Sequence, residues 1–403
     1  MLDPTRSDLT PAKRCDFIDQ LRGWAVIVMI EAHAVNVWLR EGMLPSWLSF
    51  VNGLVAPAFI MCAGFSLVLS TFRADGTLRP FAPSMKRLGI ILLCAYALHA
   101  PAFTLAGWLH LTTPRQIREM FQIDVLQCIV FSLFLLQGLA RIIRRPMAYA
   151  AVTLVLALGA TLAAPHLWQP GVAQGWWLPI RGLINGNTEQ GVSSLFPLFP
   201  WFAFAACGAF LGVFYRHLRV IPHHGAARWS ETRWLATLAI LGGVIYVWGA
   251  RHAPDWLEHG TFPAGETERI HNTTLPSVAH RLGAVCVIGA LMGWLERIRG
   301  RGRGPNWVLT ASHESLLLYM LHLNLIFAVL LAPPVQALTG WSPHALGWHG
   351  TLALTLALIA VNLAAGLAWQ RIRQNENLER GIHRAALAAL AVWFVAGAWQ
   401  ITI

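Results

Sequence analysis

Eleven apolar runs of roughly bilayer-crossing length divide this chain, at approximately 17–38, 48–71, 86–109, 123–141, 147–165, 195–215, 233–250, 277–297, 310–332, 349–371 and 382–402. A hydrocarbon core takes about 20 predominantly apolar residues per crossing helix. A backbone inside that core must satisfy its own hydrogen bonds, which leaves the helix as the element for runs of this kind. The sequence therefore predicts an all-α fold, a polytopic membrane helical bundle of about 11 transmembrane helices. Composition agrees: 56% of the residues are hydrophobic and 12% charged, against roughly 25% charged in soluble domains. Residues 1–16 read as a polar N-terminal tail and 17–403 as a single transmembrane domain with no visible internal repeat. The first apolar run is too long for the core of a cleavable leader and lacks a small-residue cleavage pattern, so the first helix is expected to stay in the mature protein.

The net charge of +11 is a matter of topology. If loops alternate sides, twenty-two of the thirty lysines and arginines fall on one side, among them Arg73, Lys86, Arg87, Arg144, Arg145, Arg216, Arg219, Arg299, Arg301, Arg303 and Arg371. The positive-inside rule then makes the N-terminus cytoplasmic and the C-terminus external. Nucleic acid is excluded as a partner on the same ground, because the "RGRGRG" tract at 299–304 belongs to this cytoplasmic set. The six cysteines, Cys15, Cys62, Cys94, Cys128, Cys207 and Cys286, show no paired spacing and read as small core residues.

Ionisable groups inside a membrane helix are costly and mark function by default. Helix 1 carries Asp19, Arg22, Glu31, His33 and Asn36, the third run carries His99, the fourth begins with Asp124 and Gln127, the eighth begins with His280 and Arg281, and the ninth carries His313, Glu314, His322 and Asn324. With the N-terminus inside, His33, His99, Asp124, His280 and Arg281 all approach the outer face, while Arg22, Lys86 and Arg87 stay at the inner one. Eleven residues separate Arg22 from His33, and eleven steps of about 100° return to nearly the same azimuth with a rise of roughly 16 Å. One face of helix 1 thus presents a cation at one end and an imidazole at the other. Asp19 and Arg22, at i,i+3, also suit a plain buried ion pair, and His99 and His322 suit packing roles. Asn36, three residues after His33, is placed to orient the imidazole of a general base, whereas Glu31 lies about 160° away around the helix.

Two long external connections, about 166–194 and 251–276, are of a length that is often functional. Trp168, Trp176 and Trp177 in the first suit either a sugar platform or an interfacial aromatic belt. The second carries Asp255, Glu258, Glu266, Glu268 and a glycosylation-type Asn272. "HESLL" at 313–317 lacks the second histidine of a zinc site, and His223–His224 have no further ligand spacing, so no metal is expected.

The stretch "RCDFIDQLRGWAVIVMIEAHAVNVWL" at 14–39, followed by "APAFIMCAGFSLVLS" at 56–70, resembles the opening two helices of the bacterial family related to heparan-alpha-glucosaminide N-acetyltransferase. "KRLGIILLCAYALHAP" and "SHESLLLYMLHLNLIF" are similar to its later helices. The resemblance implies a multi-pass acyltransferase of a bacterial inner membrane. Such an enzyme takes an acyl group, usually acetyl, from cytoplasmic acyl-CoA as cosubstrate and gives it to an amine or hydroxyl of an external sugar or glycan. By position Asp19, Arg22 and Gly23 match the opening motif, and His33 its outer polar position. The loop "REGMLPSW" has no histidine where mammalian members carry one, and Ala32 replaces the aspartate that many bacterial relatives have before the helix 1 histidine, which concentrates catalysis on His33. The expected site is thus catalytic His33 with Asn36, Asp124 and His99, a cofactor end of Arg22, Asp19, Lys86 and Arg87, and acceptor contacts from Arg281, His280 and Trp176. The rival reading is a secondary transporter or channel with a polar His/Asp/Arg pathway. The oligomeric state, including a homo-oligomer, stays open.

Overall fold

A computed structural model describes residues 16–73, 75–110, 112–169, 171–173, 175–186, 194–220, 227–258, 273–299 and 306–396. The tail 1–15 with Cys15, the pair His223–His224, Glu266, Glu268, Asn272, Arg301 and Arg303 lie outside the described residues, as does the Glu258 side chain. In chain order the helices are α1 (Asp16–Trp38), α2 (Ser46–Gly53), α3 (Val55–Thr71), α4 (Ala82–Leu98), α5 (Leu105–His110), α6 (Pro114–Met120), α7 (Val125–Ile142), α8 (Pro146–Leu167), α9 (Leu178–Ile184), α10 (Leu198–Val220), α11 (Ala227–Glu258), α12 (Leu275–Arg299), α13 (Asn306–His313), α14 (Ser315–Leu323) with a π-helical continuation (Asn324–Leu330), α15 (Pro333–Thr339), α16 (Trp348–Arg373) and α17 (Glu376–Ala396). Among the described residues there is no strand, only two isolated bridges, Leu39 to Leu346 and Phe72 to Leu78.

Among the described residues each apolar run is largely helical, but the count of eleven spans is not reproduced. Among the described residues seven helices are long and apolar enough to cross a membrane, or eight if the bent pair Trp307–His313 and Ser315–Leu330 forms one span. The shortfall has physical reasons. Helix α1 carries Asp19, Arg22, Glu31, His33 and Asn36, which lower its apolarity, α4 has 17 residues, and α17 opens with Glu376, Glu379, Arg380 and Arg384. The bent pair turns through 86° at Glu314, whose buried carboxylate pairs with Arg373 of α16. Outward faces rich in apolar side chains, such as Leu154 and Val155 on α8 and Ile240, Leu241 and Val244 on α11, are exposed in a way that only a lipid surround makes favourable.

Helix α1 is the hub, packed against α3, α12, α13, α14 and α16. Its approach to α13 depends on Gly23, where a Cβ would lie 2.1 Å from the Val308 carbonyl oxygen. The α3–α10 crossing is equally close: a Cβ on Gly64 would lie 1.9 Å from the Ala205 carbonyl oxygen, and one on Gly208 would lie 2.1 Å from that of Met61. Glycines that bring helix backbones together in this way suit a membrane interior, where packing replaces the hydrophobic effect as the driving force.

Candidate functional site

Two cavities lie side by side against α1. The first, about 490 Å³, is lined by Arg22, Lys86 and Arg87, by the hydroxyls of Ser66, Ser70, Ser84 and Ser315, and by apolar groups of α3, α4 and α7. The Arg22 guanidinium is held in place: its Nε donates to Ser312 Oγ at 3.0 Å and its Nη2 to Asp19 Oδ1 at 2.8 Å. Ser312 Oγ also lies 3.4 Å from Asp19 Oδ1. Asp19 thus meets this chamber through Arg22, and the ion pair and the cavity-lining position coexist. Cations and hydroxyls in this arrangement are the donor set that phosphate takes.

The second cavity, about 440 Å³, is lined by His33, Asn36, His99, Asp124, Asn52, Asn324 and apolar side chains of α1, α3, α7 and α14. Its geometry begins with a helix cap. Asp124 caps α7: Oδ1 accepts from the Val125 N–H at 2.6 Å, and Gln127 completes a reciprocal capping box through Oε1, 3.2 Å from the Asp124 N–H. The same Gln127 donates from Nε2 to the Ala95 carbonyl at 3.3 Å, tying the start of α7 to the end of α4, where His99 caps the helix. Asp124 Oδ2 then accepts from the Tyr319 hydroxyl at 3.0 Å and faces His99 Nε2 at 3.7 Å.

The His33 ring lies 5.3 Å from that of His322 and 6.1 Å from that of Phe327. His322 is buried, and its Nδ1 lies 2.8 Å from the Leu318 carbonyl, which can only accept. Nδ1 therefore carries the proton and Nε2 is a bare acceptor, buried without a hydrogen-bond partner. Asn36 is exposed at the rim. Among the described residues no hydrogen bond joins its amide to His33, so the orienting contact expected from i,i+3 spacing is not made. Glu31 lines neither cavity.

Arg22, Lys86 and Arg87 therefore meet in one chamber and His33, Asn36, His99 and Asp124 in the other. His280, Arg281 and Trp176 enter neither. Helix α12 is turned toward α11, where a Cβ on Gly249 would lie 2.5 Å from the His280 backbone nitrogen, and the His280 ring stacks on Tyr246 at 4.4 Å and against Phe50 at 4.8 Å. Trp176 and Trp177 are 43% and 72% exposed, away from the cavities. Trp168 is buried and donates to the Phe199 carbonyl at 2.8 Å, so it is a packing residue and no sugar platform.

The sequence reading passed over Tyr319 and Phe59, which line both cavities, and Asn52. The signal for Tyr319 was its i,i+3 spacing to His322, which sets both rings on one side of α14, 5.6 Å apart.

Residues 14–248 match the family model described as "Heparan-alpha-glucosaminide N-acetyltransferase, catalytic", a segment holding Arg22, His33, Lys86, Arg87, His99 and Asp124 but not Tyr319 or His322. No curated protein matches the chain. The match extends over more than half of the chain and begins with the same opening helices that carry the paired cavities, so the chain belongs to the heparan-alpha-glucosaminide N-acetyltransferase catalytic family, a membrane acetyltransferase-type family.

Proposed function

We propose that the protein is an acyl-CoA-dependent O- or N-acyltransferase of a bacterial inner membrane, moving an acyl group, acetyl foremost, to an amine or hydroxyl of an external sugar or glycan. The observation that carries this reading is the pairing of the cavities: a cationic, hydroxyl-lined chamber and a histidine–carboxylate chamber abut along one helix and share Phe59 and Tyr319 as walls.

The N-terminus lies in the cytoplasm and the basic chamber opens to that side, in keeping with the lysines and arginines of the even loops. The phosphates of the donor rest against Arg22, Lys86 and Arg87, and its thioester end points toward the histidine chamber. There the acceptor N–H or O–H gives its proton to a His33 ring nitrogen as the new bond to the acyl carbon forms. The carbon–sulfur bond then breaks, and the departing thiolate takes the proton back from the imidazolium. Asp124 and His99 bind or orient the acceptor in the same chamber.

The test uses the full chain in sealed proteoliposomes with acetyl-labelled CoA on the Arg22 side and a panel of amino sugars and neutral sugars on the other. Labelled acceptor on the far side supports the reading. Absence of label on every acceptor, with the donor intact, overturns it and leaves a transporter as the competing explanation.

A further inference from the structure

Among the described residues Tyr319 is the one polar side chain common to both cavities, and its position is independent of the matched segment, which ends at residue 248. Its ring is buried between the chambers, and Phe59 is the other wall they share. Its hydroxyl spans the partition and donates to Asp124 Oδ2 at 3.0 Å, the oxygen that faces His99 at 3.7 Å. The second Asp124 oxygen is already engaged by the Val125 N–H at the start of α7. The carboxylate is thereby fixed from two sides, by a helix N-terminus that cannot move without α7 and by a phenol carried on α14.

We propose that Tyr319 has two separable tasks in the acyl transfer put forward above, on which this inference rests: its ring closes the passage between the donor and acceptor chambers to water, and its hydroxyl is a positioning residue that holds Asp124 toward His99. The chemistry makes the first task necessary. A thioester brought to a chamber with histidines on its walls is open to attack by water, which would give free acid and CoA thiol with no acceptor modified. An aromatic ring at the junction admits the slender thioester arm while displacing water around it. The second task follows from burial, because a hydrogen bond to a carboxylate in such a place is worth more than one at a surface, and its loss releases the carboxylate to other partners.

The two tasks come apart by substitution. Tyr319→Phe keeps the ring and removes the hydroxyl. It is expected to lower kcat for transfer at least about tenfold, the scale of a lost hydrogen bond to a charged group, with KM for acetyl-CoA unchanged and no rise in CoA release without acceptor. Tyr319→Ala removes both, and is expected to be slow in transfer while releasing CoA without acceptor several-fold faster than wild type. Unchanged binding of CoA to Tyr319→Ala establishes that this variant is folded. Phe59→Ala opens the same wall without touching Asp124, and is expected to show the leak with a smaller loss of kcat. Wild-type kcat in Tyr319→Phe overturns the positioning role, and the absence of a leak in both alanine variants overturns the wall. A wild-type protein that transfers no acetyl removes the parent reading and this inference with it, whereas an active wild type with normal variants removes this inference alone.

Discussion

The two chambers use polar side chains in opposite ways. Around Arg22 the charge is answered: Asp19 and Ser312 take up the guanidinium and hold it against the cavity wall. Around His33 a neighbouring ring nitrogen is left open, since His322 Nε2 is buried without a hydrogen-bond partner, while His99 Nε2 faces the Asp124 carboxylate at 3.7 Å. An unpaired buried polar atom costs free energy, so its presence is informative. A group that only has to hold a ligand works best when fixed by neighbours. A group that has to take up and give back a proton needs a lone pair that nothing else occupies. On the reading proposed here, the first chamber grips and the second reacts.

That contrast orders the expected effects of substitution. The largest belongs to the reacting side: His33→Ala is expected to lower acetyl transfer by about a thousandfold, within the range for loss of a general base, while CoA binding measured by calorimetry persists. Transfer at the wild-type rate would break the contrast outright. On the gripping side, Arg22→Gln should raise KM for acetyl-CoA about tenfold with a much smaller change in kcat, as removal of a charged hydrogen-bond donor that acts on binding alone. A fall in kcat with KM unchanged would place Arg22 among the reacting groups. A third effect lies in the scaffold between them. Gln127→Ala severs the capping box of α7 and its tie to the end of α4, and should cost about 1 kcal/mol of stability and lower kcat several-fold as His99 loses its fixed distance from Asp124. Equal activity with a lowered melting temperature would confine Gln127 to the fold. The smallest effects sharpen the boundary of the site: His280→Phe, which keeps the aromatic stack, and Trp176→Ala should each leave transfer within about twofold of wild type, as surface or repacked positions usually do. A tenfold loss in either would extend the acceptor chamber toward α12 or the 166–194 connection.

Much of this arrangement was legible along the chain, and the failures have a common cause. Apolar runs announced the helices because bilayer length is a property of composition alone. The placing of Arg22 and His33 on one face followed from helical period. Depth was legible as well, since His33 and His99 stand near the C-terminal ends of α1 and α4 and Asp124 at the start of α7. Azimuth was not. His280 and Arg281 begin α12 at a suitable level, yet the close fit of α12 against α11 through Gly249 and Gly283 turns that end toward Tyr246. Tyr319 was hidden for the converse reason: a tyrosine in an apolar run reads as core, and only the packing of α14 beside α4 and α1 shows that its hydroxyl meets Asp124. Gly23 stood in a recognisable motif, but its physical use, admitting the Val308 carbonyl, belongs to a partner nearly three hundred residues away.

Because α1 borders both cavities, the stretch from Arg22 to His33 sets a fixed interval between them. Adding or removing one residue there would turn one end by about 100° relative to the other and change their separation by about 1.5 Å. Exchanges among apolar residues of similar volume at Ala25, Val26 or Ile30 should therefore be borne far better than any change in length. In a library of random variants, this segment should accept many substitutions and almost no insertions or deletions.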